Sequence, residues 1–243
     1  MTNSKSKSKG WKIIFKRELK SYFSSLIPYI VCVFFLITAG FIFFSTFFAA
    51  NRAELRYFFE WLPILFSFII PALAMRTFSE EKKSGSFETL VTLPVSIGDI
   101  VAGKYLALLL STLLLLVPTF FYIIACCFVG NPDPGPLAGG YLGAVFLAAA
   151  FSAIGLFASS VTKNQIVAFF LSAAICLVLT ILDYFAQLIP GAVYSVISFF
   201  SARSHFMSVS RGIIDTRDVI YFLSVTALFI AATVRVLKND KRG

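Results

Sequence analysis

Residues 75–104 read MRTFSEEKKSGSFETLVTLPVSIGDIVAGK and form the long polar interval of an otherwise oily chain. Two apolar runs flank it, each long enough to cross a bilayer. Arg76, Glu80, Glu81, Lys82, Lys83, Glu88, Asp99 and Lys104 require water, yet Phe78, Phe87, Leu90, Val91, Leu93 and Val95 are dispersed among them. A solvated linker needs no such apolar residues. Phe87, Leu90 and Val91 fall at i, i+3 and i+4, one face of a short helix. Pro94 halts that turn, because its ring cannot continue a helix. Ser96, with Asp99 three residues on, predicts the N-cap of the next helix. The reading is a short amphipathic element held below a membrane and offered to a partner protein.

Composition sets the class. Of the 243 residues 58% are hydrophobic, and the mean hydropathy is +0.87, whereas soluble domains use about 45–50% apolar residues. The chain is therefore expected to be an all-α integral membrane protein, with room for about six helices of roughly 20 residues and no soluble domain beside them. A net charge of +9 would suit nucleic acid. Its positive residues instead cluster at the ends of the apolar runs, where they fix orientation against lipid, so no nucleic-acid partner is expected. Cys32, Cys126, Cys127 and Cys176 all lie within apolar runs and act as small hydrophobes. None has zinc-ligand spacing with a histidine.

In chain order, residues 1–10 are a polar basic tail without the cleavage pattern of a signal peptide. Over 11–26, Trp11, Ile14, Phe15, Leu19, Tyr22, Phe23 and Leu26 oppose Lys12, Lys16, Arg17 and Lys20 at helical spacing, the pattern of a helix lying in the headgroup plane. Spans follow at about 27–50, 61–75, 100–129, 141–161, 165–189 and 219–237. The second is short, so its helix is expected to run on toward Glu81, and Pro118 should kink the third. NPDPGPLAGG (131–140) reads as a turn. Gly140, Ala144, Ala148 and Ser152 then recur every four residues, a stripe of small side chains that lets helices approach closely. In 190–218, Phe199, Phe200, Ala202, Phe206, Val209 and Ile213 oppose Ser201, Ser204, His205, Ser208 and Arg211. That stretch is expected to be one re-entrant or surface-lying helix, too polar to cross, with Asp215, Arg217 and Asp218 as a charged collar before the last span.

With both termini inside, Lys and Arg divide 16 inside to 5 outside, the positive-inside bias of a plasma-membrane protein. Candidates for chemistry are few. His205 has no second imidazole to share a metal or relay a proton, and no GxxxxGK(S/T) phosphate loop is present. Asp183 is the one ionisable residue well inside a span, and it falls near the outer interface. No catalytic, cofactor or metal residues are assigned.

The run from Arg76 through Glu80, Glu81, Lys82, Gly85, Glu88, Leu90, Leu93, Pro94, Val95, Ser96, Gly103 and Lys104 resembles the segment between the second and third membrane helices of ABC-2-type transporter permeases. SHFMSVSRGIIDTRDVIYFLS (204–224) is similar to the gliding-motility and copper-accessory (nitrous-oxide-reductase maturation) branch of that family. The resemblance implies the permease subunit of a bacterial ATP-binding cassette transporter, an exporter by expectation. It would pair with a second permease subunit in a homo- or heterodimer and with a cytoplasmic ABC ATPase that carries the ATP and Mg. Residues 75–104 would hold the coupling helix, with Glu81, Gly85, Phe87, Glu88, Leu90, Leu93 and Pro94 meeting the ATPase. The 11–26 helix would be the connecting helix, and spans two and five would line the dimer interface. His205, Arg211, Asp215, Arg217 and Asp218 would form the outer loop site, open to a periplasmic partner. Two other readings remain. A membrane scaffold would share the docking element but need no adjacent ATPase, and an ion-driven transporter would need charge at mid-membrane that is scarce here.

Overall fold

The structure, a computed structural model, describes residues 10–50, 54–92, 95–186, 192–213 and 215–241. Its elements in order are α1 (Gly10–Ser24), α2 (Leu26–Ala50), α3 (Arg56–Ala74), α4 (Ser79–Ser84), α5 (Ser86–Thr92), α6 (Ile97–Leu116), a 3-10 turn (Val117–Thr119), α7 (Phe120–Val129), α8 (Pro134–Val161), α9 (Gln165–Ala186), α10 (Ala192–Phe200), α11 (Ala202–Ser210) and α12 (Thr216–Asp240). Among the described residues the fold is all-α, and six helical stretches are long and apolar enough to cross a membrane.

Helix α8 is the axis of the bundle. In its most apolar window 72% is buried, against 17% for α2 and 11% for α12. The small residues explain this. Gly140, Ala144, Ala148 and Ser152 are all buried, and Gly155 faces Ala74 so closely that neither could carry a larger side chain. Helices α3, α6, α9, α11 and α12 pack around α8. The main core is largely aromatic: Phe35, Phe43, Phe58, Phe66, Phe151, Phe206 and Phe222 are each at most 1% exposed. Outward-facing side chains such as Phe41, Phe121, Phe128, Ile166 and Leu228 are exposed, the surface that a protein with a lipid-facing belt presents.

Three expectations are corrected. The stretch 131–140 is helical from Pro134, because proline at the first helical position lacks only an N–H that would have no partner there. Asp133 accepts from Gly135 N at 3.0 Å to cap it. The second long helix begins at Arg56, where Arg56 and Glu60 pair at 3.3 Å one turn apart. It reaches Glu81 only across a break: α3 ends at Ala74 and α4 starts at Ser79, the two together forming one stretch from Arg56 to Ser84. The break is stabilised from α8, where the Ser159 hydroxyl accepts from Phe78 N (2.9 Å) and Ser79 N (3.1 Å) and donates to Met75 O (3.1 Å). Third, 199–213 is not one amphipathic helix. It breaks at Ser201, so Ala202, Phe206 and Val209 are buried while Phe199, Phe200 and Ile213 are exposed.

Pro118 breaks the third span into α6, the 3-10 turn and α7. The Tyr141 hydroxyl donates to the Thr119 carbonyl at 3.0 Å, tying the break to α8. Both described ends of the chain meet at the end of the bundle that carries 75–104, as Arg17 reaches Glu81 and Asp240 reaches Lys82.

Candidate functional site

The polar interval folds into two short helices that share a sharp corner. Gly85 sits there with φ +75° and no atom within 4 Å of where a Cβ would stand. Only the left-handed backbone favours glycine at this point. Gly85→Ala is therefore expected to cost about 1 kcal/mol through backbone strain alone. A thermal unfolding curve of the detergent-solubilised protein would check it.

On α4 and α5, Lys83, Ser84, Gly85, Ser86, Glu88, Thr89 and Thr92 are exposed. The opposite side faces inward. Phe87 and Leu90 are 8% and 4% exposed and pack with Phe78, Ile100, Val101, Ala153, Leu156 and Leu237 in a second, smaller core. Phe87 and Leu90, read from the sequence as offered to a partner, are thus taken up by the chain itself. This corrects Phe87 and Leu90 as surface contacts. Leu93 and Pro94 lie outside the described residues. Ser96 does cap α6, its hydroxyl accepting from Asp99 N at 3.1 Å.

Glu81 is turned inward as well. Its Oε1 lies 2.9 Å from Lys104 Nζ and 3.2 Å from Arg17 Nη2. Lys104 Nζ also donates to the Thr77 carbonyl at 2.8 Å and pairs with Glu18 Oε1 at 3.1 Å. Its ammonium lies 5.0 Å from the Phe78 ring centroid. Beside this group Arg76 grips Glu80 with two nitrogens, at 2.7 and 3.0 Å, and donates to Ser25 Oγ at 2.6 Å. Tyr22 donates to the Leu73 carbonyl at 3.3 Å, and burial pushes its phenol above the usual range, so it remains a donor. These residues line a cleft of about 300 Å³ between α1 and α3. On the other flank Lys82 contacts the Ser160 carbonyl and the Asp240 carboxylate.

Sequence reasoning placed Lys104 among the solvated charges and passed over Glu18. A signal existed for both. Lys104 falls in register with Ile100, Val101, Tyr105 and Leu108, all buried, and Glu18 with Ile14 and Tyr22. A lone charge within an apolar stripe marks a buried pair.

At the far end the outer-loop candidates separate. His205 and Asp218 meet, Nδ1 to Oδ1 at 2.6 Å, and the other ring nitrogen contacts the Phe199 carbonyl at 3.0 Å. That carbonyl can only accept, so this nitrogen carries a proton. The imidazole stacks on Tyr221 with centroids 4.2 Å apart. Asp215 instead caps α12, accepting from Arg217 N at 3.0 Å. Arg217 and Arg211 are exposed, and Arg211 borders a cleft of about 320 Å³ at this end of the bundle with Glu54, Phe59, Asp133 and Met207. Asp183 is paired with Arg203, whose guanidinium lies over Tyr184 at 4.2 Å. Among the described residues no cluster of His, Cys, Asp and Glu could hold a metal.

A family model described as "ABC-2 family transporter protein" matches residues 13–234. No curated protein matches the chain.

Proposed function

Because the chain belongs to the ABC-2 family of transporter proteins, and is thus a multi-pass permease component, we propose that it couples ATP hydrolysis by a separate cytoplasmic ATPase subunit to movement of cargo, or of force, across a bacterial plasma membrane. Export is the direction this reading favours. A second permease subunit completes the pore, and ATP and Mg belong to the ATPase. Residues 204–224 support the gliding-motility and copper-accessory branch, with the outer end of the bundle meeting a periplasmic partner. The positive-inside bias puts the end holding 75–104, and both termini, in the cytoplasm.

One observation carries the reading. Segment 79–92 is exposed and polar on one side and anchored in the bundle on the other. A push on Glu88 or on the Gly85 corner passes through Phe87 and Leu90 to α6, α8 and α12. Glu88 thus touches the ATPase, Gly85 shapes the corner, and Glu81, Phe87 and Leu90 hold the segment from within.

The test is Glu88→Lys on that exposed face. Insertion and yield of the permease stay unchanged, while capture of the cognate ATPase weakens at least about tenfold, since a like charge replaces an attractive one at the interface. ATPase stimulation falls with it. Unchanged capture and turnover in this variant would overturn the reading.

A further inference from the structure

Lys104 is 1% exposed, a rare state for a lysine. Each partner of its ammonium comes from a different element: Thr77 from the turn after α3, Glu81 from α4 and Glu18 from α1. Lys104 itself stands on α6. Four parts of the chain therefore meet at one atom. Arg17 completes the group, bridging Glu18 (2.7 Å) and Glu81 (3.2 Å). Two cations and two carboxylates sum to zero, so the cluster is neutral only while all four are present.

The backbone is arranged to make this meeting possible. At Gly103 a Cβ would stand 2.8 Å from the Trp11 carbonyl and 2.9 Å from Ile14 Cβ. Helix α1 thus lies directly on α6 at a position where α6 offers no side chain of its own, which brings Glu18 over the next residue, Lys104. A surface pair such as Arg56–Glu60 contributes little, because water screens it. A buried pair is different: removing one member leaves a charge with neither water nor partner.

We propose that Lys104 is a positioning residue that makes the places of α1 and of the α4–α5 segment depend on each other. The inference rests on the reading of α4–α5 as the element that receives the ATPase's work. Drawing Glu81 outward leaves Lys104, Arg17 and Glu18 with an excess positive charge, and the Lys104 ammonium that bears it is buried. The cluster therefore opposes separation, and displacement of α4 is shared with α1 and, through it, with α2.

The full-length permease in phospholipid nanodiscs, with no ATPase present, provides the test by amide hydrogen exchange. Glu81→Gln raises exchange about tenfold within 10–24, and Glu18→Gln does the same within 79–92, as expected when one charge-assisted contact is lost. Amides of α8 do not respond. With Arg17→Met in every variant, so that its direct contact with Glu81 is removed, both cross-effects vanish when Lys104→Met is present, the signature of coupling through that residue, and Lys104→Arg restores part of them. Should Lys104→Met not insert, the two glutamate variants decide alone. An effect of Glu81→Gln confined to 79–92, or a cross-effect that survives Lys104→Met, overturns the proposal. ATPase capture by Glu88→Lys is read separately, so loss of the docking reading and loss of this one are distinguishable.

Discussion

Gly139→Ala is expected to destabilise the bundle by about 3 kcal/mol, the upper part of the range for overpacking. One methyl group suffices because its neighbours are backbone. The new Cβ would overlap the Val209 carbonyl oxygen and stand 2.9 Å from Gly212 Cα and N. That backbone cannot easily retreat, since Gly212 N donates to the same Val209 carbonyl at 2.9 Å and Arg211 N donates to Ser208 O at 3.2 Å. Gly212, with φ +86°, also lies close against Gly135. Gly143→Ala is the internal comparison. There the contact is the Phe206 ring at 3.1 Å, a side chain that can shift by a few tenths of an ångström. Thermal unfolding of both variants in one detergent–lipid mixture should separate them clearly. Equal midpoints would mean that the α8–α11 contact does not hold the far end together.

The second large effect is expected at His205. His205→Leu should cost about 3–5 kcal/mol, because it leaves the Asp218 carboxylate buried without its partner. The Asp218 side chain is 7% exposed, its Oδ1 is held by the imidazole, and its Oδ2 has no hydrogen-bond partner among the described residues. The Tyr221 ring would also lose the imidazole stacked on it. The double variant His205→Leu, Asp218→Leu should recover most of the loss, since an apolar pair of similar volume carries no desolvation penalty. A double variant no more stable than the single one would show that the imidazole matters for shape rather than for charge.

The sequence was legible wherever one element's own chemistry decided the outcome. Ser96 caps α6 because its hydroxyl reaches an N–H in the same turn, and Pro118 breaks its helix because it lacks an N–H of its own. The four-residue stripe from Gly140 to Ser152 is buried, as small side chains at that spacing require. Legibility failed where the answer depended on a second element. The spacing of Phe87 and Leu90 says that one face is covered, but not whether a partner or α6 and α8 cover it. Charge alone placed Lys104 in water, while Glu18 and Glu81, far from it in the chain, make its burial possible. At the far end one helical pattern drawn from Phe199 to Ile213 crossed a break. Ser201 is buried and caps the new helix through Ser204 N at 3.3 Å, while donating to Leu179 O at 3.3 Å. That donation depends on α9 and could not be read from local pattern.

The contact of Lys82 with Asp240 carries a consequence for the order in which the protein is made. Residues 79–92 leave the ribosome early, when α1 is already available to hold their Glu81 flank. Asp240 and the Leu237 that packs with Phe87 and Leu90 emerge much later. The segment therefore acquires its second clasp only once α12 has been made, and a nascent chain halted within α12 would carry it half-fastened.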